Sequence, residues 1–436
     1  MITLLHLSDI HMGSGFAHGR LNPETGLNTR LEDFIAALTR CIDRALAESV
    51  DLVLFGGDAF PDATPPPLVQ QALASQFCRL SAAGIPAVLL VGNHDQHAQG
   101  LGGASLSIYR TLGVPDVVVG DRLETHRIDT VSGPVQVVTL PWLTKSTLLT
   151  RPETEGLSMT QVNELLLDRL RVALEGEIRR LDPEIPAILL AHAMVDTASY
   201  GAERFLATGR GFTIPMAMLA RPCFDYVALG HVHRYQVLCE HPLMIYPGSI
   251  ERVDFSEETE AKGYLLVQVA RGQAQADFCP LPVRPFKTIE VDLTNTDTPQ
   301  PRLEQAIARA DIADAVVRCL YTLRTDQVDQ IDQTALETTL AAAHTYSLQP
   351  EIKAQTSRSR LPELGTDSTL DPLTALSAYL ANRDDLGDIA EGMLTAAAAL
   401  MADEGDAELP FEDVDLSLDD LDSLALEETA QQLRLL

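Results

Sequence analysis

The chain has 436 residues, with 62 Asp+Glu against 32 Lys+Arg and a formal net charge of −30. Hydrophobic residues make up 46%, so the chain can bury a large core, and its length fits two or three domains; global disorder is excluded. No apolar run reaches the roughly 18 residues that suggest a membrane span, and so acidic a balance disfavours indiscriminate nucleic-acid binding.

The first residues, 1–7, read as a strand rather than a secretion signal. Six scattered cysteines with no Cys-x-x-Cys pair fit free thiols, so a cytoplasmic location is expected. Short aliphatic runs at 3–7, 52–55, 87–91, 135–140, 187–191, 226–229 and 264–269 predict strands buried on both faces. Helical patterns lie between them at 30–48, 67–83 and 160–180, with prolines 65–67 starting the second. This is a layered α/β arrangement.

A second unit begins near Val283. Its strands are expected at 288–293 and 315–323 and its helices at 301–310 and 333–343, making a small α+β module. Residues 353–369, rich in Ser, Thr, Pro and Gly, read as a linker. Two short helices follow. Residues 372–382 place Leu373, Leu376, Tyr379 and Leu380 on one stripe, and 389–401 place Ile389, Met393, Leu394, Ala397 and Leu400 on another. Such a pair either packs on itself or docks a partner.

Charge is uneven along the chain. Residues 361–436 hold 19 acidic and 2 basic side chains, and the tail from Asp403 reads as solubilising. Only four residues are Lys; the other 28 basic residues are Arg. Arg204, Arg210, Arg221 and Arg234 fall close together. Arginine suits bidentate phosphate contacts, so Arg204, Arg210 and Arg234 are candidates for binding substrate, against the plain alternative of surface arginines.

The informative pattern is what ends five of the runs. Run 3–7 leads into Asp9 and His11, run 52–55 into Gly56-Gly57-Asp58, and run 87–91 into Gly92-Asn93-His94-Asp95. Run 187–191 leads into His192, and run 226–229 into Gly230-His231-Val232-His233. Each motif alone has an ordinary reading: Gly-Asp after a strand is usually a turn, and a lone His is usually structural. Together they deliver Asp, His and Asn to the carboxyl ends of strands, where ligands of open α/β sheets sit.

These donors suit two divalent ions such as manganese, iron or zinc, and the lack of Cys argues against a thiolate-rich structural zinc. Asp58 can bridge. Asp9, His11 and one of His231 and His233 complete one ion; Asn93, His192 and the other His complete the second. Bound metal lowers the pKa of water and offers a nucleophile for phosphorus. His94 is the candidate for protonating the leaving oxygen, with Asp95 orienting its ring.

At these residues the sequence resembles the calcineurin-like metallophosphoesterase superfamily, whose pattern is Asp-x-His, Gly-Asp, Gly-Asn-His-Asp/Glu, His and Gly-His-x-His. The resemblance implies that Asp9, His11, Asp58 and His233 hold one metal and Asp58, Asn93, His192 and His231 the other. It implies a layered β-sandwich flanked by helices, with a small α+β capping domain and a C-terminal helix pair. The boundaries are then a nuclease core at 1–282, a DNA-binding capping domain at 283–352, a linker at 353–369, the helix pair at 370–402 and the acidic tail at 403–436.

Within the superfamily the chain is similar to the SbcD nuclease subunits, the bacterial counterparts of double-strand-break repair nucleases. The likeness rests on LLHLSDIHMG at 4–13, on YPGSIER at 246–252 and on the domain order. It implies a manganese-dependent DNA nuclease, acting as a 3′-to-5′ exonuclease on duplex ends and a single-strand endonuclease. It also implies a homodimer through 67–80 and 105–112, and an SMC-like ATPase partner of the SbcC type gripped by the helix pair. Two departures stand out. Pro61 occupies a place where relatives often carry Asp or His, and the loop 14–29 is long for the family. The rival readings are a small-molecule phosphodiesterase or phosphatase and a non-catalytic scaffold. The roughly 150 residues after the core favour the nuclease, and the complete ligand set opposes the scaffold.

Overall fold

The structure is a computed structural model describing residues 1–97, 103–144, 149, 154–201, 212–353, 372–381 and 387–403. In chain order its strands are Ile2–Leu7 (β1), Leu52–Phe55 (β2), Ala87–Leu90 (β3), Val117–Gly120 (β4), Glu124–Thr130 (β5), Gly133–Leu140 (β6), Ala187–His192 (β7), Met194–Val195 (β8) and Thr213–Ile214 (β9). Then come Tyr226–Gly230 (β10), Gln236–Glu240 (β11), Leu243–Tyr246 (β12), Gly263–Ala270 (β13), Gln273–Pro280 (β14), Phe286–Asp292 (β15), Val316–Arg324 (β16) and Thr345–Lys353 (β17). The α-helices are Thr29–Ala47 (α1), Pro67–Ala82 (α2), Ser107–Leu112 (α3), Met159–Ile178 (α4), Met216–Leu219 (α5), Pro299–Arg309 (α6), Gln333–Thr339 (α7), Pro372–Ala381 (α8) and Gly387–Asp403 (α9).

Local chemistry sets the helix starts. The Asn28 side chain caps α1 by accepting from the Arg30 N–H. Pro67 opens α2, and Ser158 with Gln161 forms a capping box on α4. Along α1, Leu31, Phe34, Leu38, Cys41, Ile42 and Ala45 recur at helical spacing and are all buried.

Two six-stranded sheets form the larger part, in the orders β14-β13-β1-β2-β3-β4 and β11-β12-β10-β7-β6-β5. Strands β1 to β4 run parallel, as do β12, β10, β7 and β6. Strand alternation sorts the side chains into layers. Leu4, Leu54, Val88, Ile188, Leu190 and Ala228 pack between the sheets. Leu5, Phe55 and Leu89 face the other way onto α1 and α2, and Val138, Leu189 and Val227 face α4. Each fully buried Leu or Phe in these layers contributes about 1.5–3 kcal/mol. The mixed α/β sandwich expected from the sequence is the fold observed.

Residues after Val283 build a third, parallel sheet, β15-β16-β17, whose core of Ile289, Leu303, Ile307, Val317 and Leu336 lies under α6 and α7. It belongs to the same compact unit as the sandwich, Met1–Lys353. The second unit holds α8 and α9, of which Leu380 is buried, Leu394 and Ala397 are half-buried, and Ile389 and Met393 are exposed. The expected linker beyond Lys353 and the tail beyond Asp403 lie outside the described residues.

Every strand and helix expected for the core is found, with ends shifted by one or two residues. Helix α7 is a correction, stopping at Thr339 where the pattern ran to 343. Thr338 and Thr339 turn their hydroxyls back onto the Thr334 and Ala335 carbonyls, and the chain then drops to pair His344 with Ala315. Strands β5, β14 and β17 lie at sheet edges and carry polar residues, so no apolar run announced them.

Candidate metal centre

The loops after β1, β2 and β3 in one sheet and after β7 and β10 in the other meet at the carboxyl ends of their strands. Asp9, His11, Asp58 and His231 have positive φ angles of 52, 46, 57 and 106 degrees. Non-glycine residues avoid this region at a cost of about 1–3 kcal/mol each, and such strain clusters at functional sites. The strain is held in place by backbone bonds. Asp9 N–H donates to the Gly57 carbonyl and His11 N–H to that of Asp58, each at 3.0 Å. Gly92 and Gly230 permit close approaches: a Cβ on the first would lie 2.1 Å from Asp58 Oδ1, and on the second 2.1 Å from the Gly56 carbonyl.

The donor atoms converge. His11 Nε2 lies 2.9 Å from His233 Nε2 and 3.7 Å from Asp58 Oδ2. His192 Nε2 lies 3.3 Å from Asp58 Oδ2 and 2.9 Å from Asn93 Oδ1, which also faces His231 Nδ1 at 2.8 Å. Among the described residues, Asp9, His11 and His233 form one group able to hold a metal ion, and Asp58, His192 and His231 another. A third joins His11, Asp58 and His94. Asp9 is tied across the sheets, accepting from His231 N–H at 3.1 Å and from the Ser8 hydroxyl.

Two observations fit cations here. The Nε2 atoms of His11 and His233 face each other at 2.9 Å, a contact that a shared proton or a shared cation satisfies. His231 Nε2 is buried with no hydrogen-bond partner, an omission folded proteins avoid. The protein charges point the same way. Burial raises the Asp9 carboxyl, whereas Asp58 is held well below the carboxylate range: burial opposes this, but His192 overcomes it. Burial alone would lower His192, yet Asp58 and Asp9 raise it to about 9. Burial lowers His11 and His231. One imidazolium, on His192, therefore balances the Asp58 carboxylate.

His94 stands half-buried beside Asn93. Its Nδ1–H donates to the Pro61 carbonyl at 2.8 Å, so Nε2 is the ring nitrogen that this contact leaves uncommitted. Asp95, expected to orient this ring, has its oxygens on backbone groups. The Asp95 oxygens accept the backbone N–H groups of Gly92, Asp58 and Ala59 at 2.9–3.0 Å, so the residue pins the two ligand loops together. Burial and the Asp58 charge push its carboxyl up to about 7. Arg234 is exposed beside His233, Arg221 is paired with Glu175 at 2.5 Å, and Arg204 and Arg210 lie outside the described residues.

The sequence reading missed three neighbours. Glu257 Oε1 meets His233 Nδ1 at 2.6 Å. Lys262, fully buried, meets Glu257 Oε2 at 2.8 Å. The ring of Trp142 lies 4.8 Å from that of His231 and 6.0 Å from that of His192.

A family model for calcineurin-like phosphoesterases matches residues 2–235, more than half of the chain and all seven candidate ligands. The chain belongs to the calcineurin-like phosphoesterase family. This phosphoesterase is 29% identical over 280 residues to the uncharacterized metallophosphoesterase YhaO of Bacillus subtilis, covering 64% of the chain and 60% of that protein. It is 28% identical over 323 residues to the DNA double-strand break repair protein Mre11 of Haloferax volcanii, covering 73% and 60%. It is 27% identical over 305 residues to the SbcD component of nuclease SbcCD from Staphylococcus epidermidis, covering 66% and 72%. The chain thus spans about 60% of the length of the first two relatives. No helix among the described residues is long and apolar enough to cross a membrane.

Proposed function

We propose that this phosphoesterase is a DNA nuclease that cuts phosphodiesters with two manganese ions. The observation that carries the reading is the convergence of seven donor side chains from five strand ends beside His94, a set suited to two hard divalent cations. Asp9, His11, Asp58 and His233 would hold one ion, and Asp58, Asn93, His192 and His231 the other. Bound there, such ions supply positive charge for the phosphoryl oxygens and lower the pKa of water. The chain's own residues do the rest. His94, its Nδ1–H held by the Pro61 carbonyl, would act in its imidazolium form, giving the Nε2 proton to the leaving oxygen and keeping the Nδ1 proton. Asp95 keeps the Asp58 and Asn93 loops in register, and Arg234 stands exposed next to a ligand, available to a neighbouring phosphate.

DNA is favoured over a small ester because the likeness to the break-repair protein and to the SbcCD component runs over more than 300 residues, beyond the phosphoesterase segment 2–235. On this reading the 283–353 module covers the DNA, and the α8–α9 pair docks a coiled coil of an SbcC-type SMC-like ATPase. Exposed Ile389, Met393 and Met401 suit such a contact. Two chains would pair through α2 and α3, where Leu68, Ile108 and Leu112 are exposed.

The test offers the protein manganese, an end-labelled duplex and a chromogenic phosphodiester. Stepwise shortening of the duplex, lost in His94→Ala while metal is retained, supports the nuclease. Turnover of the small ester alone would give the site to a small-molecule phosphodiesterase instead.

A further inference from the structure

His233 is gripped more completely than a bare ligand needs. Its ring Nδ1 faces the Glu257 carboxylate at 2.6 Å. Its carbonyl accepts from the Ser249 N–H and from Lys262 Nζ, both at 3.0 Å. A Cβ on Gly248, whose φ is +80 degrees, would lie 2.6 Å from that carbonyl, so glycine is what lets the segment come so close. Glu257 in turn accepts from Val253 N–H at 3.0 Å and pairs with Lys262 at 2.8 Å. Glu257 and Lys262 are almost wholly buried, with 4% and 1% exposure. An ionised carboxylate only accepts, so Nδ1 carries the proton and Nε2 presents its lone pair to His11.

The same turn has a second load. Glu258, next in the chain, accepts the Thr288 N–H of β15 at 3.0 Å. Phe255 meets Phe286 edge to face, with ring centroids 4.9 Å apart, and Arg318 of β16 sits over the Phe255 ring at 4.4 Å. Arg252 donates to the Arg284 carbonyl at 3.0 Å. One short turn, Phe255–Glu257 and its flanks, therefore touches a candidate ligand on one side and the third sheet on the other.

We propose that Glu257, with Lys262 as its counter-charge, is a positioning residue that fixes the tautomer and aim of His233, and that the seating of β15 on this turn sets how tightly the His233-side cation is held. The inference rests on the two-cation reading of the site. Movement of the 283–353 module changes the strength of one cation position and leaves the Asn93–His192–His231 position alone.

The test is manganese binding by calorimetry, with electron paramagnetic resonance reporting whether the two ions are coupled. Glu257→Gln is expected to weaken one of two sites about 10–100-fold, the range for partners that orient a ligand, and to convert the coupled signal to a single-ion one. Glu257→Gln/Glu260→Gln/Lys262→Met, which removes Lys262 together with both carboxylates it pairs with, gives the same loss if folding is a concern. Thr288→Pro removes the N–H given to Glu258 and the hydroxyl that accepts from Arg318, and suits an edge strand; beside a Thr288→Val control, which loses the hydroxyl alone, it is expected to weaken the same site several-fold. In the Glu257→Gln background Thr288→Pro should add less than its own effect. Wild-type protein binding no pair of ions overturns the two-cation reading itself. Two ions bound normally by wild type and Glu257→Gln alike overturn the positioning role, and strictly additive effects overturn the link to β15.

Discussion

His11 and His233 stand 222 positions apart in the chain, and their Nε2 atoms lie 2.9 Å from each other. The His11 loop is fixed by its N–H on the Asp58 carbonyl and the His233 ring by Glu257, so neither ring is placed by chance. Asp58 stands in two of the candidate metal groups, one with His11 and one with His192. Asp58→Asn, which keeps the shape and removes the charge, should therefore lower the affinity for both cations and reduce phosphodiester turnover by on the order of 100-fold or more. Inductively coupled plasma analysis beside an activity assay reads both.

His94 predicts a different signature. Removing a positioned proton donor costs about 10²–10⁴-fold in turnover, while the seven other donors remain. His94→Ala should keep its metal and lose rate, and the loss should shrink on a substrate whose leaving group needs no proton, such as a nitrophenyl ester. Equal losses on both substrates would remove His94 from that role.

Asp95→Asn separates bracing from acid-base assistance. The Asp95 carboxylate takes three backbone N–H groups from the loops that carry Asp58 and Asn93. An amide turns one acceptor into a donor facing them, at about 1–3 kcal/mol. The expected result is a lower melting temperature and weaker metal retention. A stable, metal-replete variant with a shifted pH profile would instead tie Asp95 to the His94 ring.

The core strands and the donor side chains gathered at their ends could be read from the sequence because they obey simple rules. Strands β1, β2, β3, β7 and β10 are continuous aliphatic runs, and polar residues appear where each run stops. Glu257 was hidden for physical reasons. It lies 24 residues past His233, in a run with Glu258 and Glu260 that looks like a solvated face. Its signal was Lys262, one of only four lysines, set immediately before an apolar strand where a lone charge demands a partner. Pro61 shows the opposite lesson. The side chain the family pattern led one to seek is absent, yet the backbone carbonyl at that position holds His94. The polar edge strands escaped because pairing on one side only leaves their sequence free to be hydrophilic.

Proton linkage gives a prediction for the metal-free protein. His192 is raised from an ordinary 6.5 to about 9, because Asp58 and Asp9 outweigh the burial that lowers it. A raised folded pKa means that its stabilisation is complete below about 6.5 and is lost as pH climbs through about 9. After chelation the melting temperature should fall across that window, and His192→Gln should flatten the slope. A divalent ion held at His192 would replace the same proton, so manganese affinity is expected to rise with pH over the same range.

Trp142 is the chain's one tryptophan and lies against His231 and His192. Paramagnetic manganese bound beside these rings should quench its emission saturably, whereas magnesium should not. His231→Ala should weaken the quenching. Emission indifferent to manganese would place the ions elsewhere.

The most direct measurement is electron paramagnetic resonance of the purified chain titrated with manganese to saturation. Two ions per chain with an exchange-coupled spectrum, lost on Asp58→Asn, is the predicted result. One ion or none per chain, or two magnetically isolated ions untouched by that substitution, would contradict the account.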